Sequence, residues 1–152
     1  MPSSAGSAGC QSISKVRACS LASPFAGWWR GIDIAWRETL GAEADSPAQR
    51  DADRLRFWER ATASADATAA VPDKDEPAPA VDAAILLVAC SDCELAIVAI
   101  EDLAGLEQAP NLPGTIDEHP NWRRRLPESP DVLFADDLVG ARIATLTKER
   151  PA

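Results

Sequence analysis

Only one segment of this chain has the pattern of a β-strand buried on both faces, and a strand of that kind cannot stand alone. Leu95 to Ile100 reads LAIVAI, a continuous apolar run bounded by polar residues, as expected within a parallel sheet covered on both sides. No second run among the 152 residues is as strand-like, and the segment before Phe25 offers none. A solitary parallel strand leaves backbone donors and acceptors without partners on both edges, so the pattern describes part of a larger sheet. A complete barrel of eight strands and eight helices takes roughly 250 residues, more than this chain supplies.

Most of the remaining sequence has helical or irregular character. Residues 1–24 are rich in Ser, Ala and Gly with no period of 2 or 3.6, a composition expected to be disordered because it buries too little apolar area. From Phe25, the residues Trp29, Ile32, Trp36 and Leu40 recur at spacings of 3 and 4, which puts them on one face of a helix ended by Gly41. Ser46 as N-cap, Pro47 at the first helical position and Gln49 in the capping-box position announce a second helix, with Leu55 and Trp58 marking its buried side. The PDKDEPAPA run, residues 72–80, is expected to be a linker loop because each proline removes a donor and constrains its predecessor. Val81 to Ala89 reads as a short buried helix, although its length also fits a strand. Glu101 to Glu128 is a long Pro- and Gly-containing loop. Ser129 and Pro130 then restart a helix, with Leu138 or Val139, Ile143 and Leu146 on its apolar side.

Charge narrows the range of partners. A formal charge of -9 and a pI near 4.5 argue against nucleic acid and against an anionic membrane surface, both of which require a basic field. No apolar stretch approaches the roughly 20 residues that span a bilayer, and Met1 to Cys19 lacks the apolar core of a secretory signal, so a cytoplasmic location is expected. Four cysteines, Cys10, Cys19, Cys90 and Cys93, are too few for a disulfide scaffold, and reduced thiols are expected. Cys90 and Cys93 form a CxxC pair that could hold half of a zinc site; the other reading is two small apolar side chains at a helix-to-strand junction, and the expectation is that no metal is bound. His119 is the single histidine, which excludes a multi-histidine site or a histidine relay.

Two blocks carry a specific resemblance. The strings AGWWRGIDIAWRETLG, Ala26 to Gly41, and NLPGTIDEHPNWRRRLP, Asn111 to Pro127, resemble the amylomaltase type of 4-alpha-glucanotransferase, also called disproportionating enzymes, over Phe25 to about Pro151. The resemblance implies an α/β fold class: a C-terminal fragment of a (β/α)8 TIM barrel, mostly helical with one buried strand, the barrel incomplete. Leu95 to Ile100 would be the eighth barrel strand and Glu101 to Glu128 the loop at its carboxyl end, the face where barrel active sites lie. The implied activity is retaining transfer of alpha-1,4-glucan segments between maltooligosaccharides, with no cofactor.

The departures from that pattern matter equally. The family's His-Asp dipeptide before the GWW block has no counterpart here, since Ser20 and Leu21, or Leu21 and Ala22 in the shifted register, stand in its place. The family's nucleophilic aspartate and acid/base glutamate lie on earlier strands that this sequence does not contain. Retaining transfer needs two carboxyl groups roughly 5 to 5.5 Å apart; Glu101 and Asp102 are adjacent at a strand end and face opposite ways, so they read as loop-anchoring acceptors and no catalytic residue is assigned. The chain alone is expected to be inactive and poorly folded. The alternatives are a non-catalytic glucan-binding remnant, or the smaller half of a split enzyme with a complementary N-terminal half.

Asn111 is the one residue carried over as a sugar contact, on its match to the asparagine that opens the family's NxPGT loop. An amide donates to and accepts from sugar hydroxyls, but an asparagine capping the turn before Pro113 and Gly114 explains it equally well. Trp29, Trp36 and Trp58 read as core, Trp122 as pinning the loop to the barrel, and Trp28 is left open. Arg123, Arg124 and Arg125 are expected to pair with Asp117, Glu118 or other carboxylates.

Overall fold

A computed structural model describes residues 18–20, 24–63 and 70–150, the first three for their backbone only. Seven helices and two short strands are present among these residues, and α4 (Ala78–Ala89) is the element around which the others gather. Its Ala80, Val81, Ala84, Ile85, Val88 and Ala89 are all buried, against α1 (Phe25–Arg30), α3 (Pro47–Thr62) and α7 (Asp137–Glu149). The apolar centre is Ala26, Val81 and Ile85, with Phe25, Val98, Leu103 and Leu146 packed on it. Small residues on α4 let its neighbours approach closely, and full burial of Ile85 or Val81 stabilises by about 1.5–3 kcal/mol each. The helix starts at Ala78, so the end of the proline-rich run, read as loop through residue 80, is helical: Pro77 precedes the helix and Pro79 sits in its first turn, where no amide donor is needed.

The expected single helix from Phe25 to Gly41 is broken. Gly31 adopts φ 83°, ending α1 and opening α2 (Ile32–Thr39), with its amide donating to the carbonyls of Gly27 and Trp28. Left-handed backbone is open to glycine at little cost, so the apolar spacing continues across a bend. Only the first half is deeply buried: Trp29 is fully enclosed, with its indole N–H donating to the carbonyl of Asp73 at 3.2 Å, whereas α2 buries no residue completely.

The N-cap of α3 is as expected, Ser46 Oγ accepting from the Gln49 amide at 3.2 Å, while the Gln49 side chain turns to Asp53 instead of completing the box. The buried face differs from the expectation. Leu55 is 46% exposed, and Arg50 and Arg54 are buried in its stead beside half-buried Phe57 and Trp58. Each guanidinium reaches the end of α1: Arg54 Nε donates to the Trp29 carbonyl and Arg50 Nη1 to that of Trp28, both at 2.6 Å. Carbonyls at a helix C-terminus carry the negative end of the helix dipole and attract cationic side chains, which is why two arginines occupy positions that periodicity assigns to apolar residues.

The strand is shorter than expected and it is paired. β2 (Leu95–Ile97) runs parallel to β1 (Ala18–Ser20), with Ala18 opposite Leu95, Cys19 opposite Ala96 and Ser20 opposite Ile97. This corrects two readings: the segment before Phe25 does supply a strand, and β2 is not buried on both faces, Leu95 and Ile97 being 47% and 50% exposed. The other residues of the 1–24 segment expected to be disordered, apart from Pro24, lie outside the described residues. Ile100 belongs to α5 (Ile100–Leu103), so Glu101 and Asp102 sit on a helical turn and not at a strand end. After an irregular stretch, α6 (Pro130–Phe134) and α7 divide what was read as one helix, Asp136 capping α7 through the amides of Leu138 and Val139. Val139, not Leu138, faces inward, together with Arg142. The thiol expectation is corrected as well: Cys93 is disulfide-bonded, while Cys90 is free and exposed.

Candidate functional site

Two segments meet to build the site, the α1–α2 bend and the irregular stretch from Ala104 to Ser129. They pack tightly at Gly27, where a Cβ would fall 2.0 Å from the carbonyl oxygen of Glu107. No side chain fits between those backbones. Arg30 Nη1 fixes the same contact through Glu107 Oε1 at 2.7 Å, and the Trp36 indole reaches Gln108 Oε1 at 3.4 Å.

Beside this junction lies a cavity of about 350 Å³ lined by Trp28, Asp33, Trp36, Arg50, Asn111 and His119, among others. Its wall is rigidly charged. Arg50 is enclosed, holds both carboxylate oxygens of Asp33 at 2.8 Å and one of Asp45 at 3.2 Å, and lies 4.9 Å from the Trp28 ring centroid. Burial works against its charge, but the hydrogen bonds and field of Asp33 and then Asp45 outweigh that and hold its pKa above the ordinary value.

The far wall is the Asn111–Trp122 turn, which has no regular ladder and is held by the Asn121 side chain. Its oxygen accepts from the Leu112 amide at 2.8 Å and contacts His119 Nδ1 at 2.9 Å. Its nitrogen donates to the Thr115 carbonyl at 3.0 Å and to Thr115 Oγ1 at 2.8 Å. A backbone amide on one side and a carbonyl on the other fix which amide atom is oxygen, and therefore place the hydrogen of the His119 contact on Nδ1. His119 is buried and meets Trp36 edge-on, ring centroids 4.9 Å apart at 75°. The Asn111 side chain makes no hydrogen bond to any described residue and lines the cavity.

A profile of the 4-alpha-glucanotransferase family matches residues 22–130. The chain belongs to the 4-alpha-glucanotransferase family. It is 35% identical over 133 residues to the 4-alpha-glucanotransferase of Mycobacterium bovis (strain ATCC BAA-935 / AF2122/97) and to that of Mycobacterium tuberculosis strains CDC 1551 / Oshkosh and ATCC 25618 / H37Rv. Each alignment covers 82% of this chain and 18% of the relative, so the chain spans less than a fifth of the length of these 4-alpha-glucanotransferases. No solved structure matches it.

The residues named from sequence separate clearly in this structure. Asn111, Trp28 and Trp36 come together at the cavity, whereas Trp29 belongs to the core and Trp58 is half-buried on α3. Trp122 does not pin the loop: it is 75% exposed and has φ 57°, with only its amide tied inward, to the Pro110 carbonyl at 2.8 Å. Arg123 pairs with Asp117 at 3.4 Å, while Arg124 and Arg125 line a separate cavity of about 460 Å³ with Glu101. Glu118 accepts from the amides of Ile116 and Asp117, and these bonds, with one from its own amide, hold its carboxyl below the ordinary range.

Asp102 is an anchor, as read. It is fully enclosed and Oδ1 accepts from the Phe25 amide at 2.6 Å, joining α5 to the start of α1. Burial raises its pKa, with the Glu101 charge adding to that, while the Phe25 hydrogen bond and Arg142 pull the other way. Arg142 ties the same turn to α4 and α7, donating to the carbonyls of Asp102 and Leu103 and to Asp82 Oδ1. Sequence reasoning missed Arg50 and Asn121. The available signal for Asn121 was its residue type: in a proline-rich loop without ladder bonds, an internal amide is the group able to satisfy stranded backbone atoms of both kinds.

Proposed function

We propose that this chain forms one wall of the glucan-binding cleft of a 4-alpha-glucanotransferase, in which alpha-1,4-glucan segments pass between maltooligosaccharides with retention at the anomeric carbon. Asn111 is the sugar contact, and the observation that carries the reading is its uncommitted amide at the cavity wall beside Trp28 and Trp36. A turn-capping asparagine would bond its own loop, and here Asn121 and Thr115 do that instead.

The chain alone performs no transfer. The carboxylates at the cavity are each committed to an arginine, Asp33 and Asp45 to Arg50 and Glu107 to Arg30, and Asp102, whose Oδ1 accepts from the Phe25 amide, is fully enclosed and does not line the cavity. None is available as one of two opposed groups across a glycosidic bond. The acids of the reaction come from sequence corresponding to the larger part of the relatives, a complementary N-terminal half in chemical terms.

The parallel pairing of β1 and β2 supports the barrel reading, because the helices between them make the segment a strand–helix–strand unit in which β2 is the last barrel strand and β1 the one before it. The half-exposed Leu95 and Ile97 are then apolar surface that the remaining sheet covers. A cytoplasmic setting and a glucan substrate accompany this reading, with no role for nucleic acid, membrane or metal.

Titration of the purified chain with maltoheptaose, followed by tryptophan fluorescence, tests the sugar contact. A saturable change that weakens about tenfold in Asn111→Ala, the loss of one or two hydrogen bonds, is expected. An unchanged signal up to millimolar sugar removes the reading.

A further inference from the structure

We infer that Asn121 is a positioning residue for Asn111: its side-chain amide clamps the Asn111–Thr115 turn in the shape that sets Asn111 at the cavity wall. The inference rests on the reading of Asn111 as a sugar contact and adds the group that determines where that contact lies.

The turn needs such a clamp. Asn111 to Thr115 contains Pro113, which cannot donate, and Gly114 at φ 87°, so local backbone bonding is sparse. One backbone bond spans it, Thr115 amide to Leu112 carbonyl at 3.3 Å, with Thr115 Oγ1 adding a second donor to the same carbonyl at 2.7 Å. The Leu112 amide, the group next to Asn111 in the chain, is held only from outside the turn, by Asn121 Oδ1. The same side chain grips the other end at Thr115, so a single residue closes both sides.

Asn121 is itself fixed. Its amide donates to the His119 carbonyl at 2.7 Å, and the buried His119 ring both donates to Asn121 Oδ1 and rests edge-on against Trp36 of α2. The chain of contacts Trp36, His119, Asn121, Leu112 therefore transfers the position of the α1–α2 segment to the Asn111 turn. Side-chain length matters in such a clamp. Alanine removes all four side-chain contacts, whereas aspartate keeps the oxygen that accepts from Leu112 and His119 and gives up the donors to Thr115.

The test is a pair of measurements on the full chain. Amide hydrogen exchange reports the clamp without any sugar: Asn121→Ala is expected to speed exchange at Leu112 about tenfold or more while amides of α4 and α7 keep their rates, and Asn121→Asp is expected to restore protection at Leu112. Unchanged Leu112 exchange in Asn121→Ala overturns the inference, as does equal acceleration throughout α4 and α7, which marks a general loss of stability. Maltoheptaose affinity then reports the consequence. Asn121→Ala and Asn111→Ala are expected to weaken binding by similar factors, and the double variant to be no weaker than either single one; losses that multiply would show independent roles and also overturn it. If the unaltered chain and Asn111→Ala bind maltoheptaose equally, the sugar contact fails, and the exchange measurement still decides whether Asn121 sets the turn.

Discussion

The region around α4 and the Asn111–Trp122 turn hold their shapes by opposite means. In the first, Val81, Ile85 and Ala26 are buried by packing, and polar groups enter only at the edges, where Asp102, Arg54 and Arg142 satisfy helix ends and turns. In the second, large apolar side chains such as Ile116 and Trp122 are exposed, and one asparagine, one histidine and one threonine carry the structure. Apolar packing is non-directional and tolerates shifts at some cost in free energy. A hydrogen-bonded clamp fixes positions to within a fraction of an ångström but stabilises little in total. Such a division suits a protein whose scaffold must persist while a loop presents polar groups to a ligand.

The contrast can be broken most forcefully at Ile85. Ile85→Ala, at a fully enclosed position, is expected to cost about 2–5 kcal/mol and to lower the urea midpoint of every probe, tryptophan fluorescence and helical circular dichroism alike. A shared transition would contradict the poor folding expected from the sequence, and independent movement of the two signals would mean that α4 does not organise the whole.

Gly27→Ala comes next, since the added methyl group would lie 2.0 Å from the Glu107 carbonyl oxygen. Backbone has to part from backbone, a strain of about 1–3 kcal/mol. The turn should loosen first, seen as faster exchange from Leu106 to Leu112 with α4 and α7 retained; uniform destabilisation without a local change would count against a separate loop unit.

Asp102 sharpens the comparison by pH. Its folded pKa lies above the ordinary 3.8, so the folded state holds this proton more tightly than the unfolded chain does. The corresponding stabilisation is complete below the unfolded value and is lost as pH rises through the folded one. Asp102→Asn preserves an oxygen for the Phe25 amide and should abolish this fall, leaving stability at neutral pH equal to or above that of the parent. Asp102→Ala orphans the amide and should cost about 1–2 kcal/mol. Urea midpoints measured on both variants from about pH 3 to 8 distinguish these outcomes; an unaltered pH slope in Asp102→Asn would assign the dependence elsewhere.

The two regions also differ in how far they could be read from sequence. Apolar spacing located α7 and the helix at Trp29, an apolar run located α4 with its length also fitting a strand, and capping chemistry located the start of α3, because burial and orphan amides leave local marks. Periodicity failed where polar groups were buried: Arg50 and Arg54 took the place assigned to Leu55, since the carbonyls they bind belong to another helix. The break at Gly31 escaped because the apolar spacing runs straight across it. β1 escaped because three residues, Ala18 to Ser20, carry no alternation, and their pairing depends on a strand more than seventy positions later. Asn111 was found by its motif, and Asn121 lay inside the same motif without being singled out, because its role consists of contacts nine and six residues away.

The central claim is that this chain holds a sugar-contacting wall without the acids that transfer glucan. Incubating the purified chain with maltotriose and separating the products tests it directly. The account predicts unchanged maltotriose; glucose and longer maltooligosaccharides released at an enzyme-like rate would contradict it.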